Sequence, residues 1–217
     1  MYSASREGGC CMFLYLSVAK YNLRFNLLPQ LVGAVGLLML TPIMFGLTAL
    51  DAISASFPLE LSLPFLGVIL LTPVYSPEQE PGILDTVRVR KMPHLLICGI
   101  RIIMAIAITV IFICGFVLMM SALECEVTFE HALASCANAF FLGGLGILTS
   151  SISGHAVSGY IIPVLYYVID LMGGFGHFTM FSMMRSGTMD GKWIIFVIGI
   201  CCIVASIWCW NLSMRRK

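Results

Sequence analysis

The sequence predicts an all-α membrane protein with six transmembrane helices. Three observations predict it. Apolar residues make up 59% of the 217 and charged residues only 11%, against about 25% charged in a typical soluble domain. The apolar residues are gathered into runs close to the length, about 20 residues, that a helix needs to cross the hydrocarbon core. The basic residues are biased to one set of loops. Of the twelve Lys and Arg, all but Arg185 and Lys192 lie before the first run, between or just after the second and third, or behind the sixth. That asymmetry puts both termini on the cytoplasmic side.

Taken in order, residues 1–26 mix Arg6, Glu7, Lys20 and Arg24 with aromatics. They read as an amphipathic helix on the membrane face rather than a cleaved signal. Span one is expected at 31–50, closed by Asp51. Span two, at 57–75, carries Glu60 near its start and Pro58, Pro64 and Pro73 along it, which predicts tilting or kinking. Span three is expected at 94–123, with Arg101 near its start snorkelling to the inner interface. Spans four and five are expected at 132–152 and 156–171, with Asp170 near the end of the fifth. Span six, at 193–214, has Trp193, Trp208 and Trp210 near its ends, where indole rings favour the interface. The segment between spans five and six, 172–192, is apolar and glycine-bearing. It is too short to cross twice and too greasy for an ordinary solvated loop. A re-entrant hairpin fits, provided protein buries its broken backbone; the alternative is a surface loop with an apolar patch. The whole chain reads as a single membrane domain.

Composition also excludes functions. A net charge of +1 leaves no basic surface for nucleic acid. The nine cysteines are scattered through apolar segments and read as small hydrophobes. No Cys/His set has metal-ligand spacing. Cys125 and Cys136 flank a polar loop and are the one plausible disulfide pair. No catalytic string is present: HExxH, a Ser/His set and a carboxylate cluster at membrane depth are all missing. A phosphate-binding loop would need G-x-x-x-x-G-K-[ST]. The only Gly-Lys is Gly191-Lys192, followed by Trp193 and with Ser186 at the first glycine position.

The one long polar stretch on the expected inner side is 76–94, SPEQEPGILDTVRVRKMPH. It is acidic first (Glu78, Glu80, Asp85) and basic later (Arg88, Arg90, Lys91), an order the helix dipole favours. Pro81 suits a first helical turn. Ile83, Leu84 and Val87 share a face at three- and four-residue spacing. Pro93 stops the helix before span three. The stretch is therefore expected to be a short amphipathic helix on the inner surface. It is either a plain lipid-facing helix or a docking element.

These residues resemble the ABC-2 type permeases of ATP-binding-cassette exporters. The likeness runs through Glu80, Gly82, Ile83, Leu84 and Asp85, then Lys91, Met92 and Pro93, then Arg101. Ile83 stands where a Thr is usual, His94 follows the proline, and Arg101 stands where Lys is common. The expected topology also resembles that family, with its N-terminal amphipathic helix, six spans and re-entrant segment. The resemblance implies a permease subunit that exports a hydrophobic or amphipathic substrate, such as a peptide, lipid or drug. It implies no catalysis on this chain, with ATP and Mg held by two copies of a separate ATPase. It implies a second permease chain, identical or homologous, and a multi-pass location in the cell membrane, as in bacterial peptide-export or peptide-antibiotic immunity systems. Under it Glu78, Glu80, Gly82, Asp85, Arg88 and Arg90 form the coupling helix that grips the ATPase.

Asp170, Ser150 and Ser151 are the candidate substrate path. Asp170 reads alternatively as a cap for the re-entrant segment or a marker of the outer interface. Gly143, Gly144 and Gly146, with Ser150, Ser151 and Ser153, form a small-residue stripe in span four, for packing within the bundle, a dimer seam or a substrate path. Two other functions compete. An ion-coupled carrier would need a mid-membrane acid and an internal repeat, neither of which the sequence offers. A non-transporting scaffold or sensor partner would need no further feature.

Overall fold

The computed structural model describes residues 27–76, 94–173, 179–189 and 191–216. The expected N-terminal amphipathic helix and the coupling residues Glu78, Glu80, Gly82, Asp85, Arg88 and Arg90 lie outside the described residues. The described chain is helical, without strands: α1 (Leu28–Phe45), α2 (Ala52–Leu61), α3 (Pro64–Leu71) with a 3₁₀ turn at Thr72–Tyr75, α4 (His94–Ala122), α5 (Phe129–Ser153), α6 (Ala156–Leu171), α7 (Ser182–Ser186) and α8 (Lys192–Arg216).

Five helical stretches are long and apolar enough to cross a membrane: Leu28–Phe45, Ala52–Tyr75, Cys98–Ala122, Phe129–Ser153 and Lys192–Leu212. The sixth expected span, α6, is an apolar helix of 16 residues. At 1.5 Å per residue it is about 24 Å long, short of the roughly 30 Å hydrocarbon core. The outer surface is apolar, with Ile43, Ile103, Ile111, Leu118, Val157 and Ile161 among its exposed side chains. Lipid, not water, suits such a surface.

Two helix bounds depart from expectation for local reasons. α1 stops at Phe45, not 50, because Gly46 turns to φ +64° and its N–H closes on the Pro42 carbonyl at 3.0 Å. Residues 49–50 then pair with the loop after α4. The Ala49 N–H donates to the Leu123 carbonyl at 3.3 Å and the Glu126 N–H to the Leu50 carbonyl at 2.9 Å. The second helical stretch begins at Ala52 rather than 57, so Glu60 lies in the last turn of α2 rather than near the start of the span.

That stretch breaks at Ser62–Leu63. Pro64 has no N–H to offer the Glu60 carbonyl one turn back. The Phe65 N–H turns to the Ser62 carbonyl (3.2 Å), which frees the Leu61 carbonyl. The Tyr167 hydroxyl fills it from α6 at 3.0 Å. A buried backbone acceptor is thereby satisfied across the bundle, as an apolar setting demands.

α5 is the central helix. In its most apolar stretch 72% of residues are buried, as in Ala52–Tyr75, against 28% or less in the other three. His131 helps start it. Its Nδ1 accepts the Thr128 N–H at 3.2 Å, so its Nε2 carries the proton and donates to the Ala52 carbonyl at 3.0 Å. The small residues of α5 then admit three neighbours. A methyl group on Gly67 of α3 would sit 1.9 Å from the Ala139 carbonyl oxygen. One on Gly199 of α8 would meet the Phe141 backbone at 2.8 Å, and one on Gly159 of α6 the Gly146 carbonyl oxygen at 2.7 Å. The stripe of Gly143, Gly144 and Gly146 thus packs within the bundle.

Other expectations are corrected. Trp210 is not an interface ring. It is buried and stacks on Tyr75 with centroids 4.7 Å apart, because α8 folds back against the 3₁₀ turn. Cys125 and Cys136 are free thiols, so no disulfide closes that loop.

Candidate functional site

The candidate site is a buried charge cluster at one end of the bundle, where α2, α5, α6 and α8 converge on residues 179–187. Glu60 of α2 and Lys192 of α8 form an ion pair, Nζ to Oε1 2.6 Å, with side chains 1% and 2% exposed. Isolated charges do not survive such burial, and both are fully engaged. The Lys192 ammonium donates to Glu60 Oε1, to Asn138 Oδ1 at 3.1 Å and to the Met180 carbonyl. Those three bonds use all its protons. Glu60 in turn accepts the Met183 N–H at Oε1 (3.2 Å) and the Met184 N–H at Oε2 (2.9 Å). These are orphan donors in the first turn of α7, so a carboxylate from another helix caps it. Asn138 bridges the set, its Nδ2 donating to the Met180 carbonyl at 2.9 Å.

Asp170 joins from the end of α6. It is fully buried, and its Oδ2 accepts the Met180 N–H at 2.7 Å. Its Oδ1 has no hydrogen-bond partner among the described residues. Arg185 closes the other side. Its Nη2 donates to the carbonyls of Asp170 (3.2 Å) and Leu171 (3.0 Å), where a cation suits the negative end of the α6 dipole. Arg185 and Lys192, the two exceptions to the charge bias, are therefore tied into the cluster.

Residues 179–187 lie in the middle of the segment expected to re-enter. Met180 and Phe181 are fully buried, against Val68, Phe141, Leu142, Tyr167 and Ile195. The Phe181 ring meets Tyr167 edge-on at 5.3 Å. Protein buries residues 179–183 of this broken stretch, whereas Arg185, Ser186 and Gly187 are exposed.

Of the residues expected to line a substrate path, Asp170 belongs to this cluster and caps the Met180 amide. Ser150 and Ser151 are buried near the far end of α5. The Ser151 hydroxyl donates to the Leu148 carbonyl at 2.7 Å. Ser150 packs beside Gly159 in the first turn of α6. Gly159 and Asp170 stand eleven residues apart on α6, roughly 16 Å along the axis, so the structure does not gather the three into one site. Arg101 is half-buried on α4, remote in sequence from the cluster.

Sequence reasoning missed Glu60, Asn138 and Lys192. Glu60 and Lys192 are 132 residues apart, and no local spacing joins them. One signal did point to them: Lys192 broke the charge bias, and Glu60 stood among apolar neighbours next to a proline-marked break.

The described residues offer no group of three or more His, Cys, Asp or Glu side chains suited to a metal. A small cavity of about 50 Å³ opens beside the cluster between Leu133, Cys136, Ala137, Trp193 and Phe196, with Lys192 in its wall. Its lining is apolar apart from the Lys192 side chain and the Cys136 thiol. The fold and site together define a helical bundle of membrane-protein character with a buried charge cluster at one end. No protein-family model, curated protein or solved structure matches the chain.

Proposed function

We propose that the chain is the permease subunit of an ABC-2 type exporter, moving a hydrophobic or amphipathic substrate with ATP hydrolysed on a separate subunit. The observation that carries this reading is the polar stretch between the second and third long apolar helices. It is acidic then basic, amphipathic and proline-bounded. Of the described helices on either side of it, one ends at Tyr75 and the next begins at His94. Tyr75 stacks on Trp210 near the end of α8, at the pole opposite the Glu60–Lys192 pair. In this reading the motor grips that pole, opposite the charge cluster. In this reading Glu78, Glu80, Asp85, Arg88 and Arg90 contact the ATPase, and Gly82 lets the two backbones approach. ATP-driven closure of the ATPase dimer rocks two facing permease chains between states.

The test is co-purification with a P-loop ATPase, followed by Glu80→Lys/Asp85→Lys. The variant is expected to insert normally and lose ATP-dependent transport. Undiminished transport in the variant, or transport by the purified chain without nucleotide, refutes the proposal.

A second reading has one observation in its favour. Glu60 and Asp170 are buried carboxylates, and those are the groups an ion-coupled carrier uses. Uptake into nucleotide-free vesicles driven by an imposed ion gradient would select it over the exporter.

A further inference from the structure

Residues 179–187 are held differently from an ordinary loop. Side chains from four helices grip the backbone of this strap: Asp170 the Met180 N–H, Asn138 and Lys192 the Met180 carbonyl, and Glu60 the Met183 and Met184 N–H groups. The grip is shared as well. Glu60 Oε1 accepts both Lys192 and the Met183 N–H, so one carboxylate ties the strap to α2 and α8 at once. The strap cannot lift without taking the Met180 carbonyl from a buried ammonium. Nor can α2 shift against α8 without uncapping α7. Beneath lies an apolar floor of Val68, Phe141, Leu142 and Tyr167, covered by Met180 and Phe181.

We propose that residues 179–187 form a latched strap and that the Glu60–Lys192 pair is its catch. Loss of the Glu60 charge, or movement of α2 away from α8, releases the strap as a unit and opens this end of the bundle onto the apolar floor. The element is bistable in the sense that interface contacts are either made or broken together. The inference stands on the geometry of this cluster and does not rest on the permease reading.

The sequence supplies a probe. Arg185 lies in the strap, and apart from Lys192 no other Lys or Arg occurs between Arg101 and Arg215. Trypsin acting on the purified full chain in detergent therefore reports strap release as cleavage after Arg185, read by mass spectrometry. The wild type is expected to resist, and Glu60→Gln to be cut at least tenfold faster. Asp51→Asn, an acidic residue at the same pole outside the latch, is expected to keep the wild-type rate. Cleavage of Glu60→Gln at the wild-type rate overturns the proposal. Should Glu60→Gln fail to fold, hydrogen exchange on the wild type decides. The Met180, Met183 and Met184 amides are expected to exchange together and slowly. Exchange as fast as an unprotected chain, or at unrelated rates, overturns the latch.

Discussion

Lys192→Met removes the only cation in contact with Glu60 among the described residues and keeps most of the side chain's apolar volume. The wild-type pair is almost fully buried, with 2.6 Å between Nζ and Oε1. The variant leaves Glu60 a buried anion held only by the amides of Met183 and Met184. Removing one partner of a buried pair costs about 3–5 kcal/mol, most of it the uncompensated charge. Asn138 Oδ1 also loses its donor, while the Met180 carbonyl keeps Asn138 Nδ2. An orphaned buried acceptor costs about 1–3 kcal/mol. The two costs fall on one network and overlap, so a total near 4 kcal/mol is expected. Glu60→Gln/Lys192→Met leaves no charge of the pair behind, and the side-chain carbonyl of the new glutamine still accepts one α7 amide. The double variant should be more stable than the sum of the two single changes by about 2 kcal/mol. The assay is equilibrium unfolding of wild type, both single variants and the double variant in detergent titrated with SDS. Single variants within about 0.5 kcal/mol of wild type, or a strictly additive double variant, would show that the ion pair does not hold this end of the bundle.

Two further predictions concern packing. Gly67→Ala puts a methyl group 1.9 Å from the Ala139 carbonyl oxygen. Backbone cannot yield as a side-chain end can, so α3 must separate from α5 at a cost of about 3 kcal/mol. Gly115→Ala meets nothing within 4 Å and should be neutral or stabilise by up to about 1 kcal/mol; the same unfolding titration compares them, and equal effects would refute the close crossing. Tyr167→Phe keeps the ring against Phe181 but strips the donor from the Leu61 carbonyl. A loss of about 1–3 kcal/mol is expected, and an unchanged midpoint would mean that the helix break finds another donor.

The membrane character of this chain was legible in its sequence, because hydropathy and length are local properties. A run of apolar residues long enough to span needs no partner to be recognised, and α4, α6 and α8 fall within a few residues of where their apolar runs put them. The glycines of α5 were likewise visible as a stripe. Asp170 was singled out because it is a carboxylate at the end of an apolar run, and capping the segment after α6 was among its expected roles.

Tertiary structure alone decided the rest. Whether the α5 stripe meets helices of its own chain or of another is a question of crossing, and Gly67, Gly159 and Gly199 answer it from three separate helices. Glu60 and Lys192 looked like charges near two different loops, because a pair 132 residues apart leaves no trace in spacing. Their partnership depends on Pro64 breaking the second helix, on α5 presenting Asn138, and on Met180 entering the bundle. Buried charge is tolerated only where all these donors and acceptors arrive together, and no single segment encodes that arrival.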